Sequence, residues 1–250
     1  MISKTKIKYI NSLSKKKYRN KDLVFVAEGP KVVGDLFAKY SPKILIHTQT
    51  WTPPYSVEDC EEYIVNETEL SKVSFLQHPQ EVLAVFTQSN PDNSILVDED
   101  IVLALDGIQD PGNMGTIIRI ADWFGIKQIV CSEDTVDVYN PKVIQATMGS
   151  IAHVNIKYTD LFSFLKHIPQ QIPIYGTFLN GENIYQKDLQ KKGIIVMGNE
   201  GNGIRPCIAS LINERLLIPN FDKNRKNVDS LNVAIATAIT CSEFRKKYQI

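Results

Sequence analysis

Apolar positions along this chain fall into two alternating periods. Residues 101–105 (IVLAL) form an unbroken apolar run of strand length. A polar stretch rich in turn formers follows: Asp106, Gly107, Asp110, Pro111, Gly112, Asn113 and Gly115. The period then changes. Ile117, Ile120, Ala121 and Phe124 recur at i, i+3, i+4 and i+7, the stripe of an amphipathic helix, and Gly125 stands where a C-cap would. This predicts strand, tight loop and helix, with the loop at the carboxyl end of a strand, where open α/β sheets bind ligands.

The same alternation continues to the end of the sequence. Strands are predicted at 101–105, 127–131, 172–176, 194–197 and 215–218. Helices are predicted at 114–124, 140–149, 160–167, 204–212 and 231–247. Such a series implies a mainly parallel sheet covered on both faces. Ahead of it, residues 4–19 carry a weak helical stripe (Ile7, Ile10, Leu13) among dense lysines. Strands are then predicted at 23–27, 43–47, 62–65 and 81–87, with helices at 30–40, where Pro30 suits the first turn, and at 67–75. The fold class expected is α/β, with a small N-terminal α/β domain over 1–90, a polar linker at 91–99 and a parallel-sheet α/β domain over 100–250.

Composition changes this picture little. Of 250 residues, 43% are hydrophobic and 22% charged, and the net charge is zero, so there is no global attraction to nucleic acid. Its distribution matters more. Residues 1–21 hold eight Lys or Arg and no acid, whereas residues 51–100 hold eleven acids and one Lys. The basic start, with Tyr9 and Tyr18 interleaved, suits RNA, cations for phosphate and rings for stacking; Lys15, Lys16, Lys17 and Arg19 are the candidate contacts. A solvated charged helix explains the same pattern.

Cys60, Cys131, Cys207 and Cys241 form no CxxC pair and the four histidines show no ligand spacing, so neither a disulfide framework nor a metal is expected. No apolar run approaches a membrane span and the start lacks a signal-peptide apolar core, so a cytoplasmic protein is expected. Neither a dinucleotide GxGxxG with its later acid nor a GxxxxGK[ST] phosphate loop occurs.

The candidate chemistry lies in three strand ends. One is the 106–115 loop, with Arg119 roughly opposite the apolar stripe of the helix that follows it. The second is Gly198-Asn199-Glu200-Gly201-Asn202-Gly203, straight after an apolar strand. The third is Ile218-Pro219, followed after an interval by Ser230-Leu231-Asn232. A further loop, Gly176-Thr177-Phe178-Leu179, follows the strand at 172–176. Each could be a bare turn, and Ser230 a helix cap; several glycine- or proline-marked ends in one domain argue for convergence on one pocket.

These stretches resemble a family. DPGNMGTIIRIAD (110–122) is similar to the first motif of the SpoU (TrmH) branch of the SPOUT methyltransferases, RNA ribose 2′-O-methyltransferases that use S-adenosylmethionine. YNPKVIQATMGSIAHVNI (139–156), IVMGNEGNGI (195–204) and the Ile-Pro…Ser-Leu-Asn pieces agree with it in the same order. The resemblance implies a trefoil-knotted SPOUT domain at 100–250, an RNA substrate-binding domain at 1–90, ribosomal RNA ahead of transfer RNA as substrate, and a homodimer through the C-terminal domain. It implies catalytic roles for Arg119, Asn113, Glu200, Ser230 and Asn232, and S-adenosylmethionine contacts from Thr177, Leu179, Gly198, Asn199, Gly201, Ile218, Pro219 and Leu231. An arginine is effectively always protonated, which favours Arg119 as a clamp on ribose and phosphate over Arg119 as a base. Residues 220–229 depart from the pattern: they are longer, lack glycine and carry Lys223, Arg225 and Lys226. A non-catalytic RNA-binding protein on the same scaffold is the alternative.

Overall fold

A computed structural model of the chain describes residues 2–55, 57, 59–89, 95–222 and 230–246. The basic stretch containing Lys223, Arg225 and Lys226, and residues 90–94 in and beside the expected linker, lie outside them. The chain divides into two compact units: Met1–Asn90 with Asp137–Ala152, and Pro91–Val136 with His153–Ile250.

The first unit opens with two short helices, α1 (Lys4–Ser12) and α2 (Lys16–Asp22), in place of one continuous helical stripe. Ser3 caps α1 by accepting a hydrogen bond from the Lys6 amide. Leu23, predicted to begin a strand, instead closes α2 in the left-handed conformation. Four strands follow: β1 (Val24–Glu28), β2 (Pro42–His47), β3 (Glu61–Ile64) and β4 (Val82–Thr87). They form one sheet in the order β1-β4-β2-β3, parallel only between β2 and β3. Helices α3 (Pro30–Leu36) and α4 (Glu67–Ser71) connect them; Asn66 and Glu69 start α4 with a reciprocal capping box.

Strand alternation sorts this unit's core. Val24, Val26, Ile44, Ile46, Leu83 and Val85 join Ile10, Leu13 and Leu70 in one cluster. The intervening Phe25 pairs in register with Phe86 and stacks on Tyr139, ring centroids 4.9 Å apart. Tyr139 precedes α6 (Pro141–Thr147), shorter than the helix predicted at 140–149 because Met148 takes a left-handed conformation.

The second unit is built on six strands: β5 (Ile101–Asp106), β6 (Gln128–Ser132), β7 (Asn155–Thr159), β8 (Ile174–Asn183), β9 (Gly193–Gly198) and β10 (Glu214–Leu217). Their order is β10-β8-β9-β5-β6-β7, and every neighbouring pair is parallel, in keeping with the alternation. β5 and β9 are buried along their whole length, which explains their continuous apolar sequence. β7 is absent from the predicted series: NIKYT is a half-buried edge strand with no apolar run.

Helix α5 (Pro111–Trp123) starts at a proline behind the cap Asp110, whose side chain accepts from the Asn113 amide, and turns out at Gly125. Met114, Ile117, Ile118 and Ala121 are its buried face, each fully buried aliphatic contributing about 1.5–3 kcal/mol. Helices α7 (Leu161–Lys166) and α8 (Pro206–Ala209) are short. The last helix, α9 (Val233–Arg245), begins two residues later than predicted, because Asn232 is its cap and accepts from the Ala234 and Ile235 amides. Ser230 therefore does not cap it. Arg245 closes it with a two-pronged ion pair to Asp100 at 2.8 and 2.9 Å. No helix among the described residues is long and apolar enough to cross a membrane.

Candidate active site

The register of β5 against β9 sets Asp106 opposite Gly198 at the carboxyl ends of the two central strands. The loops leaving there are neighbours by construction, and they are bonded to each other. After Gly198 the chain doubles back, with Asn199 and Gly203 exchanging two backbone hydrogen bonds of 3.0 and 2.9 Å. Only glycine fits at 198: a Cβ would lie 2.3 Å from the Gly203 carbonyl carbon and the Ile204 nitrogen. Asn199 holds the loop from within, its Oδ1 accepting from the Gly201 and Asn202 amides, and its Nδ2 donates to the Gly107 carbonyl at 2.7 Å.

Glu200 reaches across to the other loop. Its carboxylate accepts from the backbone amides of Gln109 and Asp110 and from Asn113 Nδ2 at 3.0 Å. Partial burial works against its charge, but the hydrogen bonds from Asn113, Gln109 and Asp110 together hold its pKa below the usual carboxylate range. Asn113 Oδ1 in turn accepts from Asn232 Nδ2 at 2.9 Å, which ties in the segment before α9. Asn113, Glu200 and Asn232 thus form one chain of side chains from three separate sequence motifs.

Beside this network is a cavity of about 870 Å³, within the range of small-molecule and cofactor sites. Thr177, Leu179, Gly198, Asn199, Gly201, Ile218, Pro219 and Leu231, all expected at a cofactor pocket, line it, together with Glu200 and Ser230. Thr177 and Leu179 reach it because β8 leaves its ladder with β10: pairing jumps from Gly176 to Glu182, and residues 177–181 project. Phe178, Met197, Gly203 and Ile204, which lie in the candidate stretches without an assigned role, also line it. Phe221 and Ala236 line it and escape the sequence reading, since nothing in their residue types distinguishes them from ordinary core or loop positions.

Two expected residues are not part of this group. Arg119 is exposed on α5, forms no hydrogen bond or ion pair among the described residues, and does not line the cavity. Arg19 is a correction. It is only 1% exposed, and its guanidinium donates to the Leu13 and Ser14 carbonyls and pairs with Asp137. It fastens α1, α2 and the 137–152 segment inside the first unit, so it cannot present its charge to RNA as Lys15, Lys16 and Lys17, all exposed, can.

The cavity's chemistry narrows the ligand. Among its described lining residues the one charged side chain is Glu200, held ionised. A phosphate-rich nucleotide would meet a negative charge and no cation there. A ligand with an apolar body and a positive centre fits, with Leu179, Ile204, Ile218 and Leu231 as its apolar wall. S-adenosylmethionine, a sulfonium, is such a ligand. Among the described residues no group of three or more His, Cys, Asp or Glu is placed to hold a metal ion.

A parallel α/β sheet with a cation-favouring cavity at the carboxyl ends of its central strands defines an α/β domain suited to a cationic cofactor. The chain belongs to the SpoU rRNA Methylase family, whose model matches residues 100–242, while residues 4–84 match the MRM3-like substrate binding domain. It is similar to the 23S rRNA (guanosine(2553)-2′-O)-methyltransferase RlmP of Bacillus subtilis, 30% identical over 246 residues, 96% of each chain. Among solved structures it resembles a TrmH-family protein from Porphyromonas gingivalis, with TM-score 0.90, 39% identity and coverage of 99% and 100% of the two chains. It also resembles an rRNA methyltransferase from Sinorhizobium meliloti with S-adenosylmethionine bound, with TM-score 0.84, 29% identity and coverage of 100% and 98%. The chain is therefore an S-adenosylmethionine-dependent RNA 2′-O-ribose methyltransferase. With Asn113, Glu200 and Asn232 bonded together and Ser230 on the cavity, the non-catalytic alternative has no observation behind it.

Proposed function

We propose that this enzyme methylates the ribose 2′-hydroxyl of a guanosine in large-subunit ribosomal RNA, in the cytoplasm. The observation that carries the assignment of the site is the bonded chain Asn232–Asn113–Glu200 beside a cavity whose one charged side chain among the described lining residues is a carboxylate. The choice of RNA is supported by the likeness to RlmP along nearly the whole of both chains.

S-adenosylmethionine supplies an activated methyl on its sulfonium. The chain's own residues bind and position. Thr177, Leu179, Gly198, Asn199, Gly201, Ile218, Pro219 and Leu231 hold the cofactor. Glu200 offers its charge to a cationic ligand and braces two loops through its bonds from Gln109, Asp110 and Asn113. Asn113 and Asn232 fix the carboxylate's orientation, and the Ser230 hydroxyl can hydrogen-bond the substrate hydroxyl. Arg119, always protonated and free of partners among the described residues, clamps phosphate and ribose so that the hydroxyl is held in line.

Arg119 needs a second subunit to serve this role. It sits one turn before Trp123 on α5, and Trp123 (86% exposed) and Ile235 (53%) leave large apolar surface on α5 and α9, two helices that pack together. A two-fold dimer covering these side chains brings Arg119 to the interface, where paired subunits complete the RNA site. The first unit, with Lys15, Lys16 and Lys17 exposed, holds the RNA, and the second carries the trefoil knot the sequence resemblance implies. Ribose-methylation mapping of ribosomal and transfer RNA from a deletion strain tests the substrate: loss of one large-subunit guanosine mark is expected, and an unchanged ribosomal RNA overturns it. Light scattering tests the dimer: a mass near the 28.2 kDa of one chain would overturn it, and Ala238→Glu on α9 should split it.

A further inference from the structure

Asp106 lines no part of the cavity, yet its side chain is completely buried at the end of β5. Its hydrogen-bond partner is Arg205. Oδ2 accepts the Arg205 backbone amide at 2.8 Å, and Oδ1 accepts Arg205 Nε at 2.6 Å and pairs with Nη2. Asp134 Oδ1 lies 3.5 Å from the same guanidinium. Arg205 stands at the far end of the loop that begins at Gly198, and Gly198 is the register partner of Asp106. The loop therefore leaves β9 beside Asp106 and returns to it.

We propose that Asp106 and Arg205 are a positioning pair that latches the 198–205 loop in its cofactor-binding shape. This rests on the cavity being the cofactor site. The loop contains three glycines, at 198, 201 and 203, and has more conformational freedom to lose than most. Asn199 and Gly203 close the loop on itself, and the Glu200 carboxylate ties it to Gln109, Asp110 and Asn113 near its middle. The latch adds a charged pair. A buried carboxylate is costly without a partner, so any loop shape that withdraws Arg205 strands Asp106 in the interior. Burial of Asp106 thus biases the loop toward one shape before ligand arrives. A cofactor that binds only that shape binds more weakly in proportion as the shape is depopulated. Neither residue touches the cofactor, so affinity should move while the chemical step does not.

The test measures S-adenosylhomocysteine binding by calorimetry, steady-state kinetics and thermal melting on the full chain for Arg205→Ala, Arg205→Lys and a cavity control, Leu231→Arg. Arg205→Ala leaves the buried Asp106 carboxylate without its cation, so its binding is measured at a temperature where the melting curve shows the variant folded; Asp106→Asn, which removes the buried charge instead, is a second variant read against its own melting curve. For Arg205→Ala the expected result is a Kd and a KM for S-adenosylmethionine raised about tenfold, with kcat at saturation within about twofold of wild type. Arg205→Lys, which keeps the backbone amide and the charge, should recover part of the loss. If Leu231→Arg abolishes binding but Arg205→Ala binds like wild type, or loses kcat at unchanged KM, the latch is wrong and the cavity assignment stands. If Leu231→Arg also binds like wild type, both fall.

Discussion

Replacing Gly198 by alanine isolates the geometry on which the cofactor loop depends. The added Cβ would sit 2.3 Å from two backbone atoms, Gly203 C and Ile204 N. Ordinary contact begins near 3.4 Å, so the returning strand of the loop must retreat by about 1.1 Å, the difference of the two. Its neighbours are backbone, with no flexible side-chain end to swing away. Gly198 is not among the glycines with positive φ, so the cost is steric alone. Overpacking of this kind costs about 1–3 kcal/mol. The cost falls on the folded protein or on the bound loop shape. In the first case melting drops by about 2–4 °C per kcal/mol for a chain of this size. In the second, cofactor affinity falls by about 5–150-fold, at 1.4 kcal/mol for each factor of ten. Gly201→Ala is the control for the steric cost in melting, in the same loop: its Cβ would meet nothing nearer than Asn199 Oδ1 at 3.6 Å. Calorimetry with S-adenosylhomocysteine and melting curves on both variants separate the two effects. A Gly198→Ala protein that melts with wild type and binds within twofold of it would refute the reasoning.

Arg119→Ala should lose methyl transfer by at least about 100-fold while S-adenosylhomocysteine affinity stays within about twofold, because Arg119 does not line the cavity; full turnover would end its assignment. Replacing Lys15, Lys16 and Lys17 by Gln should lower the slope of log K for RNA against log salt by about two to three, since each lysine that no longer neutralises a phosphate removes about one from it, and an unchanged slope would return these lysines to plain solvation. Arg19→Gln should behave differently and cost about 3–5 kcal/mol of stability, since it leaves Asp137 with no cation in a largely buried site; a stable variant with a lowered salt slope would contradict its structural role. Glu200 has a folded pKa below its usual 4.5, so its contribution to stability is fully present above that value and is lost as pH falls through the folded pKa. Glu200→Gln should accordingly flatten the decline of stability below about pH 4.5 in denaturant melts, and a variant that tracks wild type there would show that its hydrogen bonds contribute nothing.

The second unit is the more legible half because its signals are local. A strand buried on both faces must be continuously apolar, and β5 and β9 announce themselves that way. Asp110, Pro111 and Gly125 punctuate α5 at both ends. Where the determinants are not local, expectation and structure part. β7 is an edge strand whose five residues are all half-buried; Ile156 and Tyr158 alternate with polar neighbours, but the stretch is short and has no apolar run to mark it. The start of α9 is ambiguous in sequence because both Ser230 and Asn232 are good caps, and only the packing decides between them. Asp137–Ala152 packs with the first unit although the sequence series assigns it to the second; the contact that draws it there, Tyr139 on Phe25, joins residues 114 positions apart, the difference of their numbers.

The site divides the same way, between residue type and residue environment. Loop glycines and the Asn, Glu and Ser of the motifs can be read from type, because close backbone approach and hydrogen-bonding networks need those side chains. Charge without environment misleads. Arg19 stands just after a run of three lysines and groups with them by sequence, but a planar guanidinium with five donors can satisfy two carbonyls and a carboxylate at once inside a protein, which a lysine ammonium cannot do with the same geometry. Asp106 errs in the opposite sense: an acid closing an apolar strand looks like the first turn residue, whereas its buried carboxylate is the anchor to which the 198–205 loop returns. In both cases the side chain's role is set by a partner far off in sequence, Asp137 for Arg19 and Arg205 for Asp106. The physical reason is common to both: a charge is buried only where its counter-charge is already waiting.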